Sequence, residues 1–169
     1  MRHATATALA FAAACWAAGL SARADGNINE TNKFAWSENA GWINFAPTNG
    51  GATVRLDRDG YLTGAVWAEN VGWIKLGSSG GGPYANTAAN NWGVNVESGQ
   101  LSGYAWGENI GWINFNPTHS RVTISLEDGL FDGYAWAENV GWIHFRNEAP
   151  AYAVQTSARM PKGAVFIAR

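Results

Sequence analysis

Cysteine occurs once, at Cys15, charged residues make up only 14% of the chain, and there are three histidines. His119 and His144 stand apart from other ligand types, so no spacing supports a transition-metal site, and no cofactor is expected. Lys and Arg number 11 against 13 acidic residues. No basic stripe gathers them, which leaves nucleic acid without an electrostatic footing. A membrane-length run is missing too: the most apolar segment, Ala4 to Leu20, is alanine-rich and short of the about 20 strongly apolar residues that a helical span needs.

That segment has another reading. Met1-Arg2-His3, the apolar run and Ser21-Ala22-Arg23-Ala24 supply the basic, apolar and small-residue regions of a secretory signal peptide over residues 1–24. The mature chain is then residues 25–169, a single domain that is exported, secreted or periplasmic, with no membrane span left after cleavage. Lipid attachment at Cys15 is disfavoured, because Ala12-Ala13-Ala14 lacks the usual branched residue and the apolar run continues past it. Cleavage removes the sole cysteine, so no disulfide can brace the fold. It also removes Arg2 and Arg23, leaving 9 basic against 13 acidic residues and a formal charge of −4.

What the chain has in abundance is glycine and tryptophan, 21 and 10 residues, arranged in a pattern. The motif aromatic-Ala-Trp-x-Glu-Asn-x-Gly-Trp-Ile-x-Phe runs through residues 34–45, 65–76, 104–115 and 134–145. Its first tryptophans, Trp36, Trp67, Trp106 and Trp136, are spaced by 31, 39 and 30 residues. A period of this size signals one supersecondary unit stacked on its neighbours.

Alternation of apolar and polar residues makes each unit a three-stranded β-meander. In the last copy Asp128-Gly129 reads as a two-residue hairpin turn, which sets Leu126 opposite Phe131, Ile124 opposite Gly133 and Val122 opposite Ala135. Ser98-Gly99 likewise pairs Val96 with Leu101 and Val94 with Gly103. A three-residue turn, Arg58-Asp59-Gly60, pairs Leu56 with Leu62 and Val54 with Gly64. Glycines 64, 103 and 133 mark close approach by another group, with a large side chain expected in the gap.

The second half of each unit pairs Trp36 with Trp42, Trp67 with Trp73, Trp106 with Trp112 and Trp136 with Trp142. Ile143 and Phe145 then belong to the core, while the tryptophans, Tyr134 and His144 share the opposite face. The fold class is all-β: four tandem repeats of ~30 residues, closed like a barrel or propeller, with an open stack as the alternative. The first copy lacks a leading strand, since Asn27 to Lys33 shows little alternation. Tyr152–Thr156 and Gly163–Ala168 supply spares at the far end, which favours closure. The glycine-rich segment 77–91 reads as a flexible surface loop.

Three chemistries compete for the conspicuous residues. The carboxylates Glu38, Glu69, Glu108 and Glu138 suit glycosidic hydrolysis in principle. Turn architecture explains them better: Asn39, Asn70, Asn109 and Asn139 tolerate positive φ, as do Gly41, Gly72, Gly111 and Gly141, and a turn glutamate accepts unpaired backbone N–H groups. Asp57, Asp59, Glu127 and Asp128 offer too few oxygens for Ca²⁺, which takes about six to eight. The tryptophan pairs stabilise a small sheet. Beside Asn44 and Asn114 they also make a platform on which the apolar faces of sugars stack.

The motif resembles a GYAWxENxGWIxF-type element found in tandem in bacterial secreted and surface proteins, and the likeness covers most of the mature chain. It implies an extracellular, repeat-built bacterial protein and brings no catalytic residue or ligand with it. The second copy departs from the pattern at Val66 and Leu76. The expected function is a non-catalytic binding or structural module of the cell envelope or extracellular space, with a polysaccharide or another envelope protein as partner. Two alternatives are a secreted hydrolase with its site near the 77–92 insertion and a small outer-membrane β-barrel. Turns arriving every five to seven residues argue against the latter, whose strands need about 9 to 11.

Overall fold

The computed structural model describes residues 26–159, and no helix forms among them. The signal peptide expected over residues 1–24, Cys15 and the strand expected at 163–168 lie outside the described residues. In chain order the strands are β1 (Ile28–Ser37), β2 (Gly41–Asn44), β3 (Gly51–Val54), β4 (Gly60–Ala68), β5 (Gly72–Lys75), β6 (Val94–Glu97) and β7 (Gln100–Gly107). They continue as β8 (Gly111–Asn114), β9 (Thr123–Ile124), β10 (Phe131–Asp132), β11 (Tyr134–Ala137), β12 (Gly141–His144), β13 (Arg146–Glu148) and β14 (Ala151–Thr156).

All belong to one antiparallel sheet, and eight of them close a ring in the order β1-β2-β4-β5-β7-β8-β11-β12, with β12 returning to β1 where His144 faces Trp36. Each copy of the motif forms one hairpin of this ring. All four tryptophan pairings occur as expected, and Ala35, Val66, Ala105 and Ala135 face Ile43, Ile74, Ile113 and Ile143. Strand alternation turns these aliphatic residues inward, where all are buried. A ring of eight strands encloses a space that side chains can just fill. Small residues on one strand of each hairpin and isoleucine on the other meet that requirement.

Below the ring a second tier is built from the leading strands and the first halves of β1, β4 and β7. Phe45, Phe115, Phe131 and Phe145 pack between the tiers, with centroids 5.6 to 6.3 Å apart around Phe145 and Phe45. β14 lies against the start of β1, pairing Val154 with Lys33 and Ile28 with Thr156. Residues 28–33 are therefore strand, contrary to expectation, and β14 supplies the partner missing from the first copy. Asn27 joins this tier to β3: its side chain donates to the Val54 carbonyl at 2.7 Å and accepts the Val54 N–H at 2.8 Å, imitating a strand neighbour.

The glycines of the long strands owe their presence to backbone crowding. Gly64, Gly103 and Gly133 have φ of 91°, 86° and 86°. A Cβ there would fall inside contact distance of the carbonyls of Gly51, Gly93 and Arg121. The group filling the expected gap is thus a neighbouring peptide oxygen and not a large side chain.

Two of the three leading-strand registers shift by two residues from expectation. Val96 pairs with Leu101 across Ser98-Gly99 as read from sequence, but Val54 pairs with Leu62, and Ile124 with Phe131. Leu126 is consequently exposed. Asp128 accepts the N–H of Leu130 at 3.0 Å inside a wider turn, and Gly129 serves the close approach of the Thr156 carbonyl. The close approaches at Gly64, Gly103 and Gly133 mark the common register, and surplus residues are taken up by the turns.

Segment 77–91 is folded back onto the domain. Tyr84 is only 4% exposed and donates its hydroxyl to the Leu62 carbonyl at 3.0 Å. Gly77 and Gly93 lie against its ring, which leaves no room for a Cβ at either position.

Candidate functional site: the outer aromatic face

The Glu-Asn turns at one end of the ring are structural links between hairpins. Gly41, Gly72, Gly111 and Gly141 adopt φ of 72° to 84°, as the turn requires. The asparagines do not take positive φ; they reach sideways. Asn39 donates to the Val140 carbonyl at 3.1 Å, Asn70 to Asn39 at 3.2 Å, Asn109 to Val71 at 2.9 Å and Asn139 to Ile110 at 3.1 Å. Each turn is clasped to the one before it, all the way round. Glu69 also reaches across, accepting the Trp42 N–H at 3.2 Å, while Glu38, Glu108 and Glu138 are exposed.

The same alternation that fills the ring projects every motif tryptophan outward. Trp67, Trp73, Trp112, Trp136 and Trp142 are 38 to 43% exposed, and Trp36, Trp42 and Trp106 are half-buried. Between hairpins the register sets a polar residue beside an indole: Asn44 faces Trp67, Lys75 faces Trp106, Asn114 faces Trp136 and His144 faces Trp36. Within each pair the rings meet at 61° to 74° with centroids 4.8 to 5.2 Å apart. This edge-to-face geometry is the one favoured by the aromatic quadrupole. Asn44 and Asn114 contribute less freely than expected, because their Oδ1 atoms accept the N–H groups of Ala46 and Asn116.

Two rings that the motif does not contain complete this face. Trp92 meets Trp112 at 5.2 Å and 83°, and Tyr152 meets Trp42 at 5.2 Å and 85°. Their chain positions correspond: each lies two residues before a valine, Val94 or Val154, whose N–H bonds to Leu76 or Phe145 at the end of the preceding motif. Aligning the chain on those valines would have revealed both.

At the closing seam the aromatics run without a break from Phe34, Trp36 and Trp42 through Tyr152, His144 and Tyr134 to Trp142 and Trp136. His144 lies flat on Tyr134 at 4.1 Å, and its Nδ1 is 2.9 Å from the Tyr152 hydroxyl. Burial lowers the His144 pKa below the ordinary 6.5, opposed by the carboxylate of Asp132. Burial likewise raises that of Tyr152.

Elsewhere the described surface has shallow polar depressions. One, of about 350 Å³, is lined by Glu97, Ser98, Gln100, Leu101, Ser102 and Arg121; another, of about 410 Å³, by Asp132, Arg146, Asn147 and Glu148. Among the described residues no three His, Cys, Asp or Glu side chains gather as metal ligands, and no helix is long and apolar enough to cross a membrane. No known protein family matches the chain, nor does any curated protein or solved structure.

Proposed function

We propose that the protein is an exported, non-catalytic binding module of the bacterial cell envelope or extracellular space, and that it holds polysaccharide on its outer tryptophans. The four motif copies are, on this reading, four repeats of one meander set about a common axis and closed in the manner of a barrel. The carrying observation is that five indoles stay about 40% exposed although the ring interior is already filled by alanine, valine and isoleucine. Indoles on a convex outer surface, interleaved with amide, ammonium and imidazole groups, suit an extended ligand with apolar ring faces and many hydroxyls.

The hydrolase reading draws no support from the 77–92 insertion. That segment contains no Asp, Glu, His, Lys, Arg or Cys, and its buried tyrosine hydroxyl is engaged by a carbonyl. The test is a tryptophan-fluorescence titration of the mature protein with a panel of soluble polysaccharides. A saturable shift with one glycan class supports the proposal; silence across the panel removes it.

A further inference from the structure

The short connection from β2 to β3, Ala46-Pro47-Thr48-Asn49-Gly50, ends against the second hairpin. Gly50 has no room for a side chain: a Cβ there would come within 2.8 Å of the Trp73 ring and 3.0 Å of the Ala65 carbonyl oxygen. Trp73 in turn meets Trp67 edge to face at 5.2 Å. Packing at this pair fixes glycine at position 50, and the residue before it is an exposed asparagine. Of the chain's asparagines, Asn49 alone precedes a glycine. The equivalent connection after β8 closes with the same turn bond, Ser120 to Pro117 as Gly50 to Pro47, but carries His119-Ser120 where this one has Asn49-Gly50.

Asparagine followed by glycine is the dipeptide best disposed to cyclise. The peptide nitrogen after the asparagine can reach the side-chain carbonyl carbon, and glycine puts no side chain in the way and leaves the backbone free to turn. Here the Gly50 N–H donates to the Pro47 carbonyl at 3.2 Å, the long end of the range for such bonds. A surface turn held in this way opens locally while the sheet beneath stays folded.

We propose that Asn49 is a site of spontaneous covalent modification, deamidation through a succinimide, and that the product resets the outer face around Trp73. The Gly50 nitrogen gives up its proton and attacks Asn49 Cγ; a C–N bond closes the five-membered ring, and the side-chain nitrogen leaves as ammonia. Water then opens the ring. Cleavage between Cγ and the Gly50 nitrogen leaves an aspartate. Cleavage between the main-chain carbonyl carbon and that nitrogen leaves an isoaspartate, whose chain runs through the former side chain and is one methylene longer. Water is the sole co-reactant. Both products place a new carboxylate beside the second hairpin, and the longer one also displaces Gly50, which has the Trp73 ring on one side and the Ala65 carbonyl on the other.

The test ages the folded chain in buffers from neutral to mildly alkaline made with oxygen-18 water, then reads its peptides by mass spectrometry and its tryptophan emission in parallel. The peptide holding Asn49 is expected to convert from amide to acid with one heavy oxygen gained, faster as pH rises, and partly to the isoaspartyl form. Asn39, Asn70, Asn109 and Asn139, whose amides donate to neighbouring carbonyls, should stay intact over the same interval. Emission should drift in step with conversion, and Asn49→Ser should abolish both changes while keeping the starting spectrum. An Asn49 that stays intact in the folded protein while the urea-unfolded chain converts would overturn the site. Conversion without any change in emission would overturn its effect on Trp73.

Discussion

The side-chain amide of Asn139 donates to the carbonyl of Ile110 across 3.1 Å, fastening the fourth hairpin's turn to the third's. Removing it with Asn139→Ala should cost about 0.5 to 1.5 kcal/mol. Asn139→Asp should cost more, because an acceptor then faces an acceptor. Urea denaturation of both variants checks the order; equal midpoints for all three proteins would deny the clasp a part in stability.

Glycine is required where a carbonyl approaches and dispensable where nothing does. Gly103→Ala combines a left-handed φ with intrusion on the Gly93 carbonyl, and should lose more than about 2 kcal/mol. Gly80 has nothing within 4 Å of an added Cβ, so Gly80→Ala should change stability by less than about 0.5 kcal/mol. Thermal melts of the two proteins decide the matter.

Adjacent residues on opposite faces of β8 should respond differently to truncation. Ile113 is 2% exposed, and Ile113→Ala should cost about 2 to 5 kcal/mol. Trp112, outward and in ring contact with Trp106, Tyr104 and Trp92, should cost about 1 to 2 kcal/mol on truncation to alanine. A larger loss at Trp112 than at Ile113, in denaturant titrations, would reverse the assignment of faces.

His144 makes stability depend on acidity. Its folded pKa lies below the unfolded value, so the neutral form is the one the fold favours and the unfolded chain takes up the proton more readily. The contribution is therefore whole above pH 6.5, the ordinary histidine value, and declines as pH falls through the lowered one. Melting temperature should drop on acidification, and His144→Phe should flatten that slope.

The strand parity and the tryptophan pairs were legible because one face must be aliphatic and a one-residue slip would move every side chain to the wrong side. Leading-strand registers were not, since Asp128-Gly129 advertises a tight turn while the crowding that governs Gly129 comes from Thr156, far away in sequence. The same holds for Tyr84, whose seat is assembled from Gly77 and Gly93 at the two ends of its own connection and from Tyr61 on β4. Asn139 and its counterparts signalled a turn correctly, yet their partners sit one hairpin away, beyond the reach of local rules. Trp92 and Tyr152 escaped notice as part of the outer face because they lie outside the recurring motif.

Thr156 donates its hydroxyl to the Asn27 carbonyl at 3.0 Å across 129 positions of sequence. Because the first half of β1 finds its partner in β14, that part of the second tier cannot form until residues 151–156 are at hand. Assembly must then wait on the slowest kind of encounter, a long-range search.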